Sequence, residues 1–155
     1  MFLSEQPEDE KVYVDSCGFG RLYDNESQAK VKAEADAIRK TIEHCRLGEF
    51  SIIGSAVVVS EIRAIEDDDE KRDALEKIYN EIAVNAPLTA QCLARAHQLH
   101  LAGLGVMDSR HLAVAEAEGA GFLLTTDMDF IKKCARPNFT KVKVINPLDF
   151  ERRLL

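Results

Sequence analysis

The chain has no Cys-x-x-Cys pair. Its four cysteines (Cys17, Cys45, Cys92, Cys134) are widely and irregularly spaced. That argues against a disulfide or zinc framework and leaves reduced, partly buried thiols as the expectation. No stretch approaches the roughly 18–20 apolar residues of a membrane span. The N-terminus, Met1-Phe2-Leu3-Ser4-Glu5-Gln6-Pro7, lacks a basic, apolar leader. These two absences point to a cytoplasmic protein without membrane contact. A glycine-rich phosphate loop is also missing, because Gly18-Phe19-Gly20 lacks the third glycine and the lysine of such patterns. There is no internal repeat and no low-complexity segment. Basic residues are outnumbered, 20 against 27 acids, for a net charge of -7. A protein that simply coats nucleic acid by charge is thereby excluded.

What is present is an ordinary globular composition, 46% apolar and 30% charged over 155 residues. One domain over 11–155 is expected, preceded by a loose polar segment over 1–10. Charge is unevenly placed. Residues 131–155 carry seven basic side chains, among them Lys132 and Lys133, and amount to +5, so the rest is -12. An acidic body with a basic C-terminal edge suits a polyanionic substrate held beside an acidic pocket.

Short apolar runs at 11–15, 50–53, 122–125 and 142–145 read as strands. Between them, Val31, Ala35, Ile38, Ile42 and Cys45 recur at helical spacing until Gly48 stops them. Further helices are expected after Ser55, from the acids at 66–70, over 88–102, from Asp108 to Glu118 and over 129–134. The run Glu66-Asp67-Asp68-Asp69-Glu70 needs no metal, since acids in a first helical turn complement the dipole. Strands alternating with helices predict an α/β fold with a parallel sheet covered on both faces. In such sheets a ligand site forms beyond the carboxyl ends of the strands.

Four acids stand where that site would be. Asp15 and Asp127 each follow an apolar strand, Asp108 opens an apolar helix, and Glu61 shares a helical face with Val57 and Ile65. Taken singly, Asp108 reads as a helix cap, and Asp15 and Asp127 as turn residues. Glu61 resists such an explanation, because an unpaired carboxylate on an apolar face is costly. Brought together, the four would repel one another unless a cation neutralised them. Oxygen-only ligands suit Mg²⁺ or Mn²⁺.

Val12-Tyr13-Val14-Asp15-Ser16, Ser60-Glu61-Ile62, Asp108-Ser109-Arg110-His111-Leu112-Ala113-Val114-Ala115 and Leu124-Thr125-Thr126-Asp127-Met128-Asp129-Phe130 occur in that order. In sequence and spacing they resemble the PIN-domain nucleases, including the VapC-type ribonuclease toxins, from about 11 to 150. The resemblance implies a three-layer α/β/α sandwich and a Mg²⁺ or Mn²⁺ site formed by Asp15, Glu61, Asp108 and Asp127, with Asp129 as an outer member. It also implies hydrolysis of RNA, an antitoxin partner and a homodimer. Ser16, Thr125, Thr126, Arg110, Lys132 and Lys133 become substrate-binding candidates. Cys17 departs from the pattern, since many members carry Asn there.

Rival readings remain. His97, His100 and Cys92 share a helix but lack a fourth zinc ligand. His111, one turn beyond Asp108, is either a half-buried core histidine or an orienting partner of Asp108. A non-catalytic PIN-like module that binds RNA or a protein is the main alternative function. A haloacid dehalogenase fold would want an acid at position 17, and a receiver domain an acidic pair and a lysine that are not clear here.

Overall fold

The computed structural model describes residues 10–154, so nine of the ten residues expected to be loose lie outside it. Glu10 is tied in, its carbonyl accepting from Ser51 N at 2.9 Å. The described chain is a three-layer α/β/α sandwich around five parallel strands in the order β3-β2-β1-β4-β5. The strands are β1 (Lys11–Val14), β2 (Ser51–Ser55), β3 (Ala83–Ala86), β4 (Phe122–Leu124) and β5 (Lys143–Ile145). Tyr13 stands opposite Ile53 on one side and Leu123 on the other. A receiver-type sheet runs 2-1-3-4-5, so the observed order excludes it.

The central strands are apolar without alternation because helices cover both faces: Val12–Val14 and Phe122–Leu124 are all buried. The chain builds outward from β1 to β2 and β3, then returns to place β4 on the other side of β1. The switch point therefore lies between β1 and β4, and their carboxyl ends flank one crevice.

The helices are α1 (Ser16–Gly20), α2 (Ala29–Arg46), α3 (Ala56–Arg63), α4 (Asp69–Ile82), α5 (Ala90–Leu101), α6 (Val106–Ala117), α7 (Met128–Cys134) and α8 (Pro147–Glu151). Short 3-10 turns follow α1 (Arg21–Tyr23) and α8 (Arg152–Leu154). The stripe read on α2 buries Ala35, Ile38 and Ile42, and Gly48 closes the helix with φ +83°, a conformation natural to glycine. The acidic run splits: Asp68 caps α4 by accepting from Lys71 N, and Asp69 and Glu70 fill its first turn. Among the described residues no helix is long and apolar enough to cross a membrane.

Two local features differ from the sequence reading. β2 extends through Gly54 and Ser55, which pair with Asn85 and Ala86 of a strand that was not expected. Gly54 permits this because a Cβ there would lie 2.5 Å from the Tyr79 ring. β3 itself is an edge strand whose Val84 and Asn85 are exposed, so it carries no apolar signature.

Candidate active site

The four expected carboxylates come from four elements that meet at the switch point. Asp15 immediately follows β1 and is 2% exposed. Its backbone N–H donates to Leu124 O at 3.2 Å, tying it to β4. Its Oδ1 accepts from Gly18 N at 2.8 Å, so it also caps α1. Gly18 can come this close because it has no Cβ; one would lie 2.9 Å from Val14 Cγ1. Burial raises the Asp15 carboxyl, against the lowering effects of nearby His111 and of hydrogen bonds from Thr125 and Gly18.

Asp127 caps α7, with Oδ1 accepting from Asp129 N at 3.0 Å and Phe130 N at 3.2 Å. Turn and cap roles are thus real for Asp15 and Asp127, and each engages Oδ1. Asp108 is not a cap. Gly105 occupies that position, and Asp108 lies in the first turn of α6. There burial, then the charges of Asp127 and Asp15, push its carboxyl up to about 6.

Glu61, on α3, is held by two donors. Ser16 Oγ donates to Oε1 at 2.9 Å, and His111 Nε2 lies 2.5 Å from the same oxygen. Burial works to raise this carboxyl, but His111 and Ser16 outweigh it and leave the group below its ordinary value. His111 Nδ1 lies 2.7 Å from the Tyr13 hydroxyl, so the ring bridges Glu61 and Tyr13. Ser55 Oγ completes the chain at 2.8 Å from Tyr13 Oη. His111 is therefore fully buried rather than half-buried, and it orients Glu61 rather than Asp108.

Cys17 registers all four acids at once. It is exposed at the mouth of the site, and its thiol is pushed up to about 12, first by the partial burial of the sulfur and then by Asp15, Glu61, Asp127 and Asp108. The four carboxylates themselves make an oxygen-only donor set. That set fits a hard divalent cation, and the repulsion that lifts Asp108 is what such a cation would relieve. Among the described residues, however, no three His, Cys, Asp or Glu side chains are arranged to close around an ion. Asp15, Glu61 and Asp127 are instead turned toward protein donors.

The other candidates separate. Ser16 and Thr126 line a cleft with Glu61. Thr125 is fully buried and accepts from Asp127 N, so it braces the acids from behind. Asp129 is turned outward and paired with Lys133 at 2.9 Å, and Lys132 is exposed on the same last turn of α7. Arg110 lines a different cavity, with Leu93, His97 and His100 between α5 and α6. The basic C-terminal residues do not form one edge: Arg136 packs over Phe139, while Lys143 and Arg153 lie over Phe122, in a strand whose opposite end holds the site. The four cysteines are free thiols, with Cys92 and Cys134 buried, Cys45 partly buried and Cys17 exposed. Sequence reasoning missed Tyr13 and Ser55 as supports, and also Arg21, Asp24 and Lys71, which share the cleft with Glu61. A tyrosine inside an otherwise aliphatic central strand was the one available signal, since a buried hydroxyl needs a partner.

Comparison with known proteins agrees with the fold. No curated protein matches the chain in sequence. In structure it is similar to VapBC2 from Rickettsia felis bound to a DNA fragment from their promoter (TM-score 0.61, 17% identity, 88% of this chain and 98% of that one). It is also similar to VapC20 of Mycobacterium tuberculosis, a Sarcin-Ricin loop cleaving toxin (0.59, 16%, 85% and 98%). FitAcB from Neisseria gonorrhoeae is a third relative (0.55, 16%, 88% and 97%). The family model of the PIN domain matches residues 12–136, a span that takes in most of the described fold, so the chain belongs to the PIN domain family.

Proposed function

We propose that the chain is a metal-dependent ribonuclease that hydrolyses RNA phosphodiester bonds, acting as the toxin of a toxin-antitoxin pair. The observation that supports this reading is that Asp15 and Asp127 follow the two strands flanking the switch point and that, after burial, their charges are the next causes that push the Asp108 carboxyl up to about 6. Asp15, Asp108 and Asp127 would hold the ion with Glu61, whose direction is set by His111 and Ser16. The chemistry such a Mg²⁺ or Mn²⁺ ion would supply is Lewis-acid stabilisation of charge on the phosphodiester and activation of water. Ser16 and Thr126, on the cleft wall, orient the substrate. Thr125 keeps Asp15 and the Asp127 backbone in place.

The likeness to a loop-cleaving toxin and to a promoter-bound VapBC assembly supports the toxin reading, with an antitoxin as protein partner. A homodimer in the cytoplasm belongs to the same proposal. The test is incubation of the purified chain with RNA, with and without Mn²⁺, beside Asp108→Asn. Metal-dependent cleavage that the variant abolishes supports the proposal. Intact RNA at millimolar Mn²⁺ would favour the non-catalytic module that binds RNA or a partner protein.

A further inference from the structure

Beside the carboxylates lies a second polar cluster that the reaction above does not use. Arg21, in the turn after α1, donates from Nη1 to Asp24 Oδ2 at 2.7 Å and from Nε to Glu34 at 2.9 Å. Lys71 of α4 reaches the other Asp24 oxygen, Nζ to Oδ1 at 2.5 Å. Each oxygen of Asp24 thus takes one cation, the arrangement a phosphate would also offer. Burial opposes the charge on Asp24, but Lys71 and Arg21 outweigh it and hold its carboxyl below the ordinary value.

Arg21 is fixed from behind. Glu34 is fully buried, and its second oxygen accepts from Asn146 Nδ2 at 2.6 Å, the side chain that caps α8. Burying a carboxylate is costly and gains little stability over an apolar residue, so its use here to aim a guanidinium argues for a role in which aim matters. Arg21 and Lys71 then line a cleft of ≈ 440 Å³ together with Ser16, Glu61 and Thr126. That is ample for a small polar ligand. Its walls include Ile62, Ile65 and Leu75. Among the described residues, Arg21 Nη2 and two of the three Lys71 protons have no other hydrogen-bond partner. A chain of net charge -7 with four acids at its centre must place cations beside them if a polyanion is to enter.

We infer that this cleft is the subsite for the nucleotide next to the scissile bond, whose phosphate is received by Arg21 and Lys71 in place of Asp24. The inference rests on the ribonuclease reading and adds where the RNA backbone lies. Exchanging one oxyanion for another on partly exposed cations costs little, so Asp24 is a resident competitor that keeps the two cations apart and oriented until a strand arrives.

The test uses the full chain and a short mixed-sequence oligoribonucleotide carrying a fluorophore, followed by anisotropy in EDTA over a range of salt. Asp24→Asn keeps the shape and removes the competitor. It should tighten binding roughly threefold or more and steepen the salt slope by about 0.7, one extra phosphate contact on a single strand. Lys71→Ala should weaken binding by a similar factor and flatten the slope by about 0.7, and Lys71→Arg should restore both. Any change of charge shifts polyanion binding in one direction or the other, so the change in salt slope by one phosphate contact, rather than the sign of the affinity change, is diagnostic. Melting curves show that each variant is folded. Wild-type binding that neither variant alters overturns the subsite and leaves the ribonuclease proposal standing. A wild-type chain that does not bind the oligonucleotide also overturns the subsite, while the ribonuclease reading is decided separately by the Mn²⁺ cleavage assay.

Discussion

His111 Nε2 lies 2.5 Å from Glu61 Oε1, although the two residues are 50 positions apart, one on α6 and the other on α3. The contact is the front end of a buried chain, Glu61–His111–Tyr13–Ser55, in which every polar atom is satisfied. His111 and Tyr13 also meet edge to face, with ring centroids 5.5 Å apart. Removing the imidazole would leave the Tyr13 hydroxyl short of a partner and Glu61 free to rotate.

His111→Ala is therefore expected to destabilise the fold by about 2–4 kcal/mol, from a buried cavity plus a lost pair of hydrogen bonds. Metal affinity should fall as well, roughly ten- to a hundredfold, as when other groups that orient a ligand are removed. Urea denaturation and a Mn²⁺ titration check the two parts. Full metal affinity in a folded variant would show that the histidine serves packing alone.

The raised Asp108 carboxyl makes a prediction about pH. Its value rises from 3.8 to about 6 in the fold, so between those limits the metal-free native state holds a proton that the unfolded chain has lost. The stability it contributes is full below pH 3.8 and is lost as pH rises through about 6. Asp108→Asn mimics the protonated form. It should raise stability at pH 7 by about 1 kcal/mol, a full shift of roughly 3 discounted because the side chain is only half-buried. At pH 4 the two proteins should melt together. Activity should vanish at both values.

Asp15→Asn belongs beside it. Asn accepts from Gly18 N as Asp does, so the cap on α1 survives while a desolvated charge is removed. Unchanged or increased melting temperature with lost activity is the expected outcome. A loss of several degrees with activity retained would make Asp15 a structural cap.

How far the sequence carried these conclusions can be argued from particular residues. Val12–Val14 and Phe122–Leu124 were legible because a strand buried on both faces must be apolar throughout, and the acids that follow them were legible by the same token. β3 was not, since at an exposed edge Val84 and Asn85 carry no burial signal. α1 was hidden because Gly18 and Gly20 weaken any helical signal, and the capping by Asp15 that starts the helix is visible only in the fold. The His111 pairing misled for a geometric reason: one helical turn makes Asp108 its neighbour in sequence, but packing of α3 on α6 brings Glu61 to its ring. Asp24 and Lys71, 47 residues apart, have no sequence pattern that could join them.

Gly54→Ala tests the junction of β2, β3 and α4. The added Cβ would lie 2.5 Å from the Tyr79 ring, which cannot retreat easily because its hydroxyl bonds Asn85 and Ser55 O. A destabilisation of about 1–3 kcal/mol is expected, with activity retained in the folded fraction because the four carboxylates stand on other elements. Chemical denaturation alongside a cleavage assay reads both.

The metal itself gives the decisive measurement. Mg²⁺ keeps several of its waters and leans on substrate phosphate for ligands, so binding to the chain alone should be weak. Mn²⁺ at a hundred times its dissociation constant should stabilise the fold by about 2.7 kcal/mol through mass action. Three of the carboxylates, Asp15, Asp127 and Glu61, are held by protein donors, so the ion must draw them inward; Glu61→Gln, which cannot contribute a charge, should lose most of the gain. Because ligation needs Asp108 ionised, the Mn²⁺ effect should shrink as pH falls through about 6. Chelation should stop RNA cleavage without unfolding the chain, since the apolar core from Val12 to Phe150 is complete without the site. Melting curves with and without metal across pH 5 to 8 would decide it, and a shift absent at every pH in wild type would remove the metal from the reading.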